Sequence, residues 1–129
     1  MSASTVRILI VEDDELQREL LRSILELAEY EVLEAEDGTM ALEMARSERP
    51  DLIVTDNYMP GLDGLGLIEA VRKDPELRRI PVVLLTAGDE DAARKRGRTR
   101  GLDHFVQKPV IADDLLGLLR SALGSGPGP

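Results

Sequence analysis

Five side chains stand directly after apolar runs: Glu12 and Asp13 after Val6–Val11, Asp56 after Leu52–Thr55, Thr86 after Pro81–Leu85, and Lys108 after His104–Gln107. Asp13, Asp56, Thr86 and Lys108 are separated by 43, 30 and 22 residues, so only a fold can gather them. Three carboxylates brought to one place repel, and without a cation one takes up a proton or the site loses stability. A hard divalent ion such as Mg2+ suits these oxygen ligands. One or two carboxylates, a backbone carbonyl and water would hold it, with phosphate oxygens completing the octahedron. Lysine adds a point charge and threonine a hydroxyl donor, the two groups wanted around phosphoryl oxygens. The set therefore points to phosphoryl transfer. Asp56 is the candidate nucleophile, because a carboxylate can form an acyl phosphate and a buried strand ending at it holds it rigid.

The elements that must position these groups are legible in the apolar periodicity. Val6–Val11 is a β-branched-rich run with one polar interruption, as expected of a strand buried on both faces of a parallel sheet. Leu16, Leu20, Ile24 and Leu27 then recur at helical spacing with Leu21, Leu25 and Ala28 beside them, forming one wide apolar face that an Asp before it can cap. A weaker strand at Glu31–Ala35, an Asp37-Gly38 turn and a helix through Met40 to Ala45 follow, stopped by Pro50. Then come the strand ending at Asp56, a Pro60/Gly61/Gly64 loop and a helix over Leu65–Arg72. Beyond the strand that Thr86 ends, a polar stretch over 89–100 leads to a short strand at His104–Gln107 and a last helix marked by Leu115, Leu116, Leu118 and Leu119. Alternating strands and helices imply right-handed βαβ units and an α/β, doubly wound, five-stranded parallel sheet with helices on both faces. Ligands in such sheets lie outside the carboxyl ends of the strands, the edge where all five side chains fall.

Composition narrows the function classes. With 25 Asp+Glu against 16 Lys+Arg the chain carries a formal charge of −9, which repels phosphate backbones and argues against direct nucleic-acid binding. Zero cysteines remove disulfides, thiolate metal sites and thiol nucleophiles, and fit a reducing cytoplasm. No apolar run approaches the roughly 18 residues of a membrane span, and MSASTVR lacks the pattern of an export signal, so a cytoplasmic protein with no membrane partner is expected. A chain of 129 residues makes one domain, expected over 6–123. Residues 1–5 then form an N-terminal tail, and 124–129 a flexible C-terminal tail or linker stub.

The ordered set Ile8-Leu9-Ile10-Val11-Glu12-Asp13-Asp14, Asp51–Asp56, Met59-Pro60-Gly61-Leu62-Asp63-Gly64, Thr86-Ala87 and Phe105-Val106-Gln107-Lys108-Pro109 resembles the receiver domain of two-component response regulators, in particular the single-domain, chemotaxis-regulator-like type. Each piece alone is weak, but the likeness runs from Arg7 to Leu119. The resemblance implies a flavodoxin-like sheet of order 2-1-3-4-5. It makes Asp56 the phosphoacceptor and sets Mg2+ among Glu12, Asp13, Asp56 and the backbone carbonyl of Tyr58. Lys108 would pair with the phosphoryl oxygens, before a cis peptide to Pro109, and Thr86 and Phe105 would form the switch. It also implies a sensor histidine kinase or phosphotransfer protein as donor, a downstream protein target, and a response carried by the surface of the 89–100 helix, the last strand and the last helix. Glu12 stands where the family often has Asp, with Asp14 as a spare acid. Tyr58 and Gly88 occupy positions that tune water access to the acyl phosphate.

Plainer readings exist for each residue: Glu12–Glu15 as an acidic helix start, Thr86 as a strand end, Phe105 as core, and the lone His104 as an ordinary strand residue. Convergence is what separates the two readings. A haloacid dehalogenase-type phosphatase would want a second carboxylate where Tyr58 stands. A flavodoxin would want a hydroxyl- and glycine-rich loop in place of Glu12–Glu15. A pseudo-receiver acting only through protein contacts would have lost Asp56 or Lys108, and this chain has both. The basic run Arg94–Arg100 replaces the apolar pattern usual for its helix, with Gly97 inside it, so a short, frayed or displaced helix is expected. That run is either a solvated face or a docking surface for an acidic partner. If it docks, reversing the charge at Arg96, Arg98 and Arg100 weakens binding to the partner in a pull-down without slowing phosphorylation, and unchanged binding leaves the solvated face.

Overall fold

The expected runs become five strands, β1 (Arg7–Val11), β2 (Glu31–Ala35), β3 (Leu52–Asp56), β4 (Val82–Thr86) and β5 (His104–Gln107), in a computed structural model that describes residues 5–57, 59, 61–86 and 104–124. All neighbours pair in parallel in the order β2-β1-β3-β4-β5. The first and second strands thus lie on one side of the switch in order, and the rest on the other. Among the described residues four helices cover the sheet: α1 (Glu15–Leu27), α2 (Gly38–Glu48), α3 (Gly64–Lys73) and α4 (Ala112–Gly124). The stretch expected as a helix over 89–100, with its basic run and Gly88, lies outside the described residues. None of the described helices is long and apolar enough to cross a membrane.

Side-chain alternation along the strands divides the core in two. Ile8, Ile10, Leu52, Val54, Val83 and Leu85 point to one face and pack under Leu21 and Leu25 of α1 and Leu115, Leu119 and Ala122 of α4. Leu9, Val11, Ile53, Val82 and Leu84 point to the other, against Ala41 and Ala45 of α2 and Leu65, Ile68 and Val71 of α3. The central strands are buried at every position of β3 and β4, which is why they read as continuous apolar runs.

Each of the first three helices begins on an aspartate. Asp14 accepts from the N–H groups of Leu16 and Gln17, Asp37 from Met40, and Asp63 from Gly66, at 2.7 to 3.2 Å. These caps satisfy donors that the helix itself leaves unpaired.

Three expectations shift. β1 begins at Arg7, not Val6, and β4 runs one residue later than expected because Pro81 has no N–H; its carbonyl still accepts from Ile53 at 3.0 Å. α4 extends to Gly124, one residue into the expected tail. The larger correction concerns α1, whose wide apolar face is not all core. Leu21 and Leu25 are buried, while Leu16, Leu20 and Leu27 are 72, 54 and 86% exposed. At about 100° per residue, Leu20 stands a quarter-turn round from Leu21, and a flat sheet can cover only the narrower line.

Loop closure depends on one close approach. The start of α2 is pressed against the β3–α3 loop, so that a methyl group on Gly38 would sit 2.2 Å from the carbonyl oxygen of Leu62. Gly117 in α4 has nothing nearer than Arg120 Nη2 at 3.9 Å. Gly38→Ala is therefore expected to lower stability by about 1–3 kcal/mol through overpacking, and Gly117→Ala to raise it by about 0.5–1 kcal/mol through helix propensity. Urea denaturation of the two variants checks both signs.

Candidate functional site

The carboxyl ends of β1, β3 and β5 bring Glu12, Asp13, Asp56 and Lys108 together, while their positions in sequence are scattered. Val11 is the last paired residue of β1, so Glu12 and Asp13 begin the turn into α1. Asp56 is the final residue of β3 and is 8% exposed, a fixed carboxylate at the floor of the cleft. One carboxylate oxygen from each of Glu12, Asp13 and Asp56 lies within 4.8 Å of the others. Lys108 Nζ stands 3.0 Å from Asp56 Oδ1 and 3.7 Å from Glu12 Oε1. The bond from Lys108 to Pro109 is cis, as the resemblance implied.

Backbone groups hold Asp56 and Glu12 in place. Asp56 Oδ1 also accepts from the N–H of Asn57 at 2.9 Å, and the buried hydroxyl of Thr55 donates to the Asp56 carbonyl at 2.9 Å. The first turn of α3 presses on that peptide, since a methyl group on Gly64 would meet the Asp56 carbonyl oxygen at 2.5 Å. Glu12 Oε2 accepts from the N–H of Asp14 at 3.1 Å. Asp14 itself is committed to capping α1 and is not one of the three clustered acids, so it is not a spare ligand in this geometry. The Glu12 carbonyl takes a hydrogen bond from Arg18 Nη1 at 2.9 Å.

Glu12 is the acid under most stress. It is 2% exposed, and among the described residues its Oε1 has no hydrogen-bond partner. Burial pushes its carboxyl above the usual glutamate range. The Asp14 N–H and Lys108 oppose this, while the charge of Asp56 adds to it. Three clustered carboxylates against the one ammonium beside them leave a formal charge of −2. A divalent cation fits that donor set in charge, in its all-oxygen chemistry and in the one oxygen left without a hydrogen bond.

Thr86 and Phe105 are placed differently. Thr86 ends β4, buried, and its carbonyl accepts the N–H of Lys108 at 2.7 Å, which links the β5 turn to the neighbouring strand. Phe105 is partly buried against the α2/α3 side of the core. The cleft, of about 740 Å3, is lined by Glu12, Asp13, Asp56 and Lys108 together with apolar Leu20, Ile24 and Val110, and not by Thr86 or Phe105. Tyr58 lies outside the described residues. Sequence reasoning passed over Asn57, Arg18 and the contact at Gly64. The first two act at or on the main chain, and only the glycine had a signal, its place where the β3–α3 loop enters the helix.

An acidic, lysine-bearing cleft at the carboxyl ends of the strands, in a doubly wound parallel sheet, defines an α/β domain of flavodoxin-like fold whose three clustered acids could hold a metal ion. The family model for the response regulator receiver domain matches residues 8–120. The chain belongs to that family, and is a receiver domain of two-component signalling. It is 36% identical over 117 residues to the polar-differentiation response regulator DivK of Brucella anthropi, covering 91% of this chain and 95% of that protein. Over 119 residues it is 41% identical to the response regulator MprA of Mycobacterium ulcerans, covering 92% of this chain and 50% of that protein. Among solved structures, a response regulator from Chloroflexus aurantiacus superimposes with a TM-score of 0.90 at 31% identity, covering 94% of this chain and 99% of that one. The receiver domain of the sensor histidine kinase PA1611 from Pseudomonas aeruginosa, which holds a magnesium ion in its active-site cleft, superimposes with a TM-score of 0.87 at 29% identity, covering 95% of this chain and all of that one.

Because burial raises the Glu12 pKa, its ionised form weakens the metal-free fold above that pKa, and the penalty disappears as pH falls into the carboxylate range. Glu12→Gln in chelator should accordingly be more stable than the parent at pH 7, by roughly 1–2 kcal/mol. Thermal melts across pH should show the advantage shrinking towards pH 4–5, the range in which glutamate ordinarily takes up its proton.

Proposed function

We propose that this receiver is a phosphorylation-dependent switch in which Asp56 accepts a phosphoryl group from a phosphohistidine on a sensor kinase or phosphotransfer protein. The observation that carries the reading is Lys108 Nζ at 3.0 Å from an Asp56 oxygen, inside a cluster of three carboxylates that leaves one buried oxygen without a hydrogen bond among the described residues. A carboxylate oxygen of Asp56 attacks phosphorus, the bond from phosphorus to the imidazole nitrogen breaks with its electrons leaving on the imidazole, and an acyl phosphate remains. Hydrolysis later returns inorganic phosphate and the free carboxylate. The protein catalyses only these two steps on itself.

Glu12, Asp13 and Asp56, with the Tyr58 carbonyl, would hold Mg2+, which when bound offsets the negative charge of the cup and of the incoming phosphoryl oxygens. The magnesium ion in the PA1611 receiver supports this assignment. Asn57 N–H and Lys108 hold Asp56 Oδ1, leaving the second carboxylate oxygen for attack. Lys108 then pairs with a phosphoryl oxygen. The donor would rest on the apolar part of the lining of the same cleft, which includes Leu20 and Ile24 of α1 and Val110.

Thr86 would hydrogen-bond the new phosphoryl group and Phe105 would turn inward, changing the surface of the 89–100 segment, β5 and α4 that the target reads. The phosphoryl group can bias the two states only by its different contacts with each. The cytoplasmic setting expected from the sequence belongs to this reading.

Incubation with a small phosphodonor and Mg2+, followed by intact mass, is expected to show one added phosphoryl group on the parent chain. The adduct should be absent in Asp56→Asn and in chelator. An unmodified parent would turn the reading towards a phosphorylation-independent interaction domain.

A further inference from the structure

The peptide joining the two acids is gripped from the side. Where β1 ends, the N–H of Glu12 still follows the sheet, donating to the Ala35 carbonyl at 3.1 Å. The next peptide, from Glu12 to Asp13, leaves the sheet, and its carbonyl accepts from Arg18 Nη1 at 2.9 Å. The orientation of that one peptide sets the directions in which both side chains depart. Arg18 is itself fixed: its side chain is only 14% exposed, and its Nε donates to Glu34 Oε1 at 3.2 Å. The other oxygen of Glu34, which is on β2 beside Ala35, accepts from Arg22 Nη1 at 3.1 Å. One guanidinium thus ties α1, the edge strand and the turn that carries the acids.

We propose that Arg18, braced by Glu34, is a positioning residue for the acidic pair, setting the Glu12–Asp13 peptide so that both carboxylates face Asp56 and the divalent ion. The inference rests on the reading of the cup as a Mg2+ site. It differs from a purely structural role in what it requires. A surface ion pair between helix and strand would contribute about 0–1 kcal/mol to stability and leave metal affinity alone. A bond to the peptide between two ligands changes metal affinity, because groups that orient ligands tune the site they do not touch. Arg22 supplies the comparison, since it shares Glu34 and pairs with Glu26 on its own helix.

The experiment is calorimetric titration of the full chain with Mg2+ alone, alongside thermal melts in chelator. Arg18→Met, which keeps the aliphatic stem, is expected to raise the Mg2+ Kd about tenfold, Arg18→Lys by less, and Arg22→Met by no more than about twofold. Glu34→Gln should weaken binding modestly in the parent and add nothing in the Arg18→Met background, as two residues acting through one bond require. Parent-like Mg2+ affinity in a folded Arg18→Met would overturn the proposal, and so would an equal loss in Arg22→Met. Should Arg18→Met not fold, parent-like affinity in both Arg18→Lys and Glu34→Gln overturns it in the same way. A parent chain that does not bind Mg2+ sinks the reading of the cup and this inference with it.

Discussion

Like charges held at one edge of the sheet are the constraint around which this molecule is arranged. Three carboxylates whose oxygens come within 4.8 Å of one another do not remain together by attraction, and a single ammonium at 3.0 Å from one of them offsets only part of the repulsion. The site persists because the rest of the fold holds it there. Core packing on both faces of the sheet fixes the ends of β1 and β3, and the apolar contacts that do so outnumber the few polar groups they force together. The strain is local: Glu12, buried with one oxygen that makes no hydrogen bond among the described residues, carries most of it. A site of this kind is poised to gain from any cation that enters.

How the acids are held follows from where strands end. In a parallel sheet the last residue of a central strand keeps its backbone rigid while its side chain meets the turn. Asp56 exploits this, with Thr55, Asn57 and the first turn of α3 closing around its peptide. Glu12 and Asp13 lie past the last paired residue of β1; Glu12 keeps one bond to the sheet, its N–H to the Ala35 carbonyl, and its carboxylate and carbonyl depend on the N–H of Asp14 and the guanidinium of Arg18. The acid nearest the strand is fixed by the sheet; those in the turn need side-chain and capping contacts.

The same distinction explains what was legible before any coordinates. Strand positions were readable because full burial on both faces leaves continuous apolar runs, as at Leu52–Asp56 and Val82–Thr86. Site residues were readable because they stand where those runs stop. The α1 face was overread: Leu16 and Leu20 share its period with Leu21 and Leu25, yet only the latter pair meets the sheet. Periodicity records which side of a helix is apolar, not how much of it a partner covers. Asp14 looked like a third acid of the turn, and its N-cap bonds to Leu16 and Gln17 assign it to the helix.

By itself the chain determined the order of strands and helices, the aliphatic core, the family, and the identities of Glu12, Asp13, Asp56 and Lys108, since burial patterns and residue types are local properties written along it. Tertiary structure alone decided which acids meet, which carboxylate oxygen lacks a hydrogen bond among the described residues, and that the Glu12 carbonyl is held by an arginine whose brace stands on another strand. Distances between groups dozens of residues apart depend on the register of neighbouring strands and the way helices seat on them. Those are products of packing the whole sheet, and no stretch of sequence contains them.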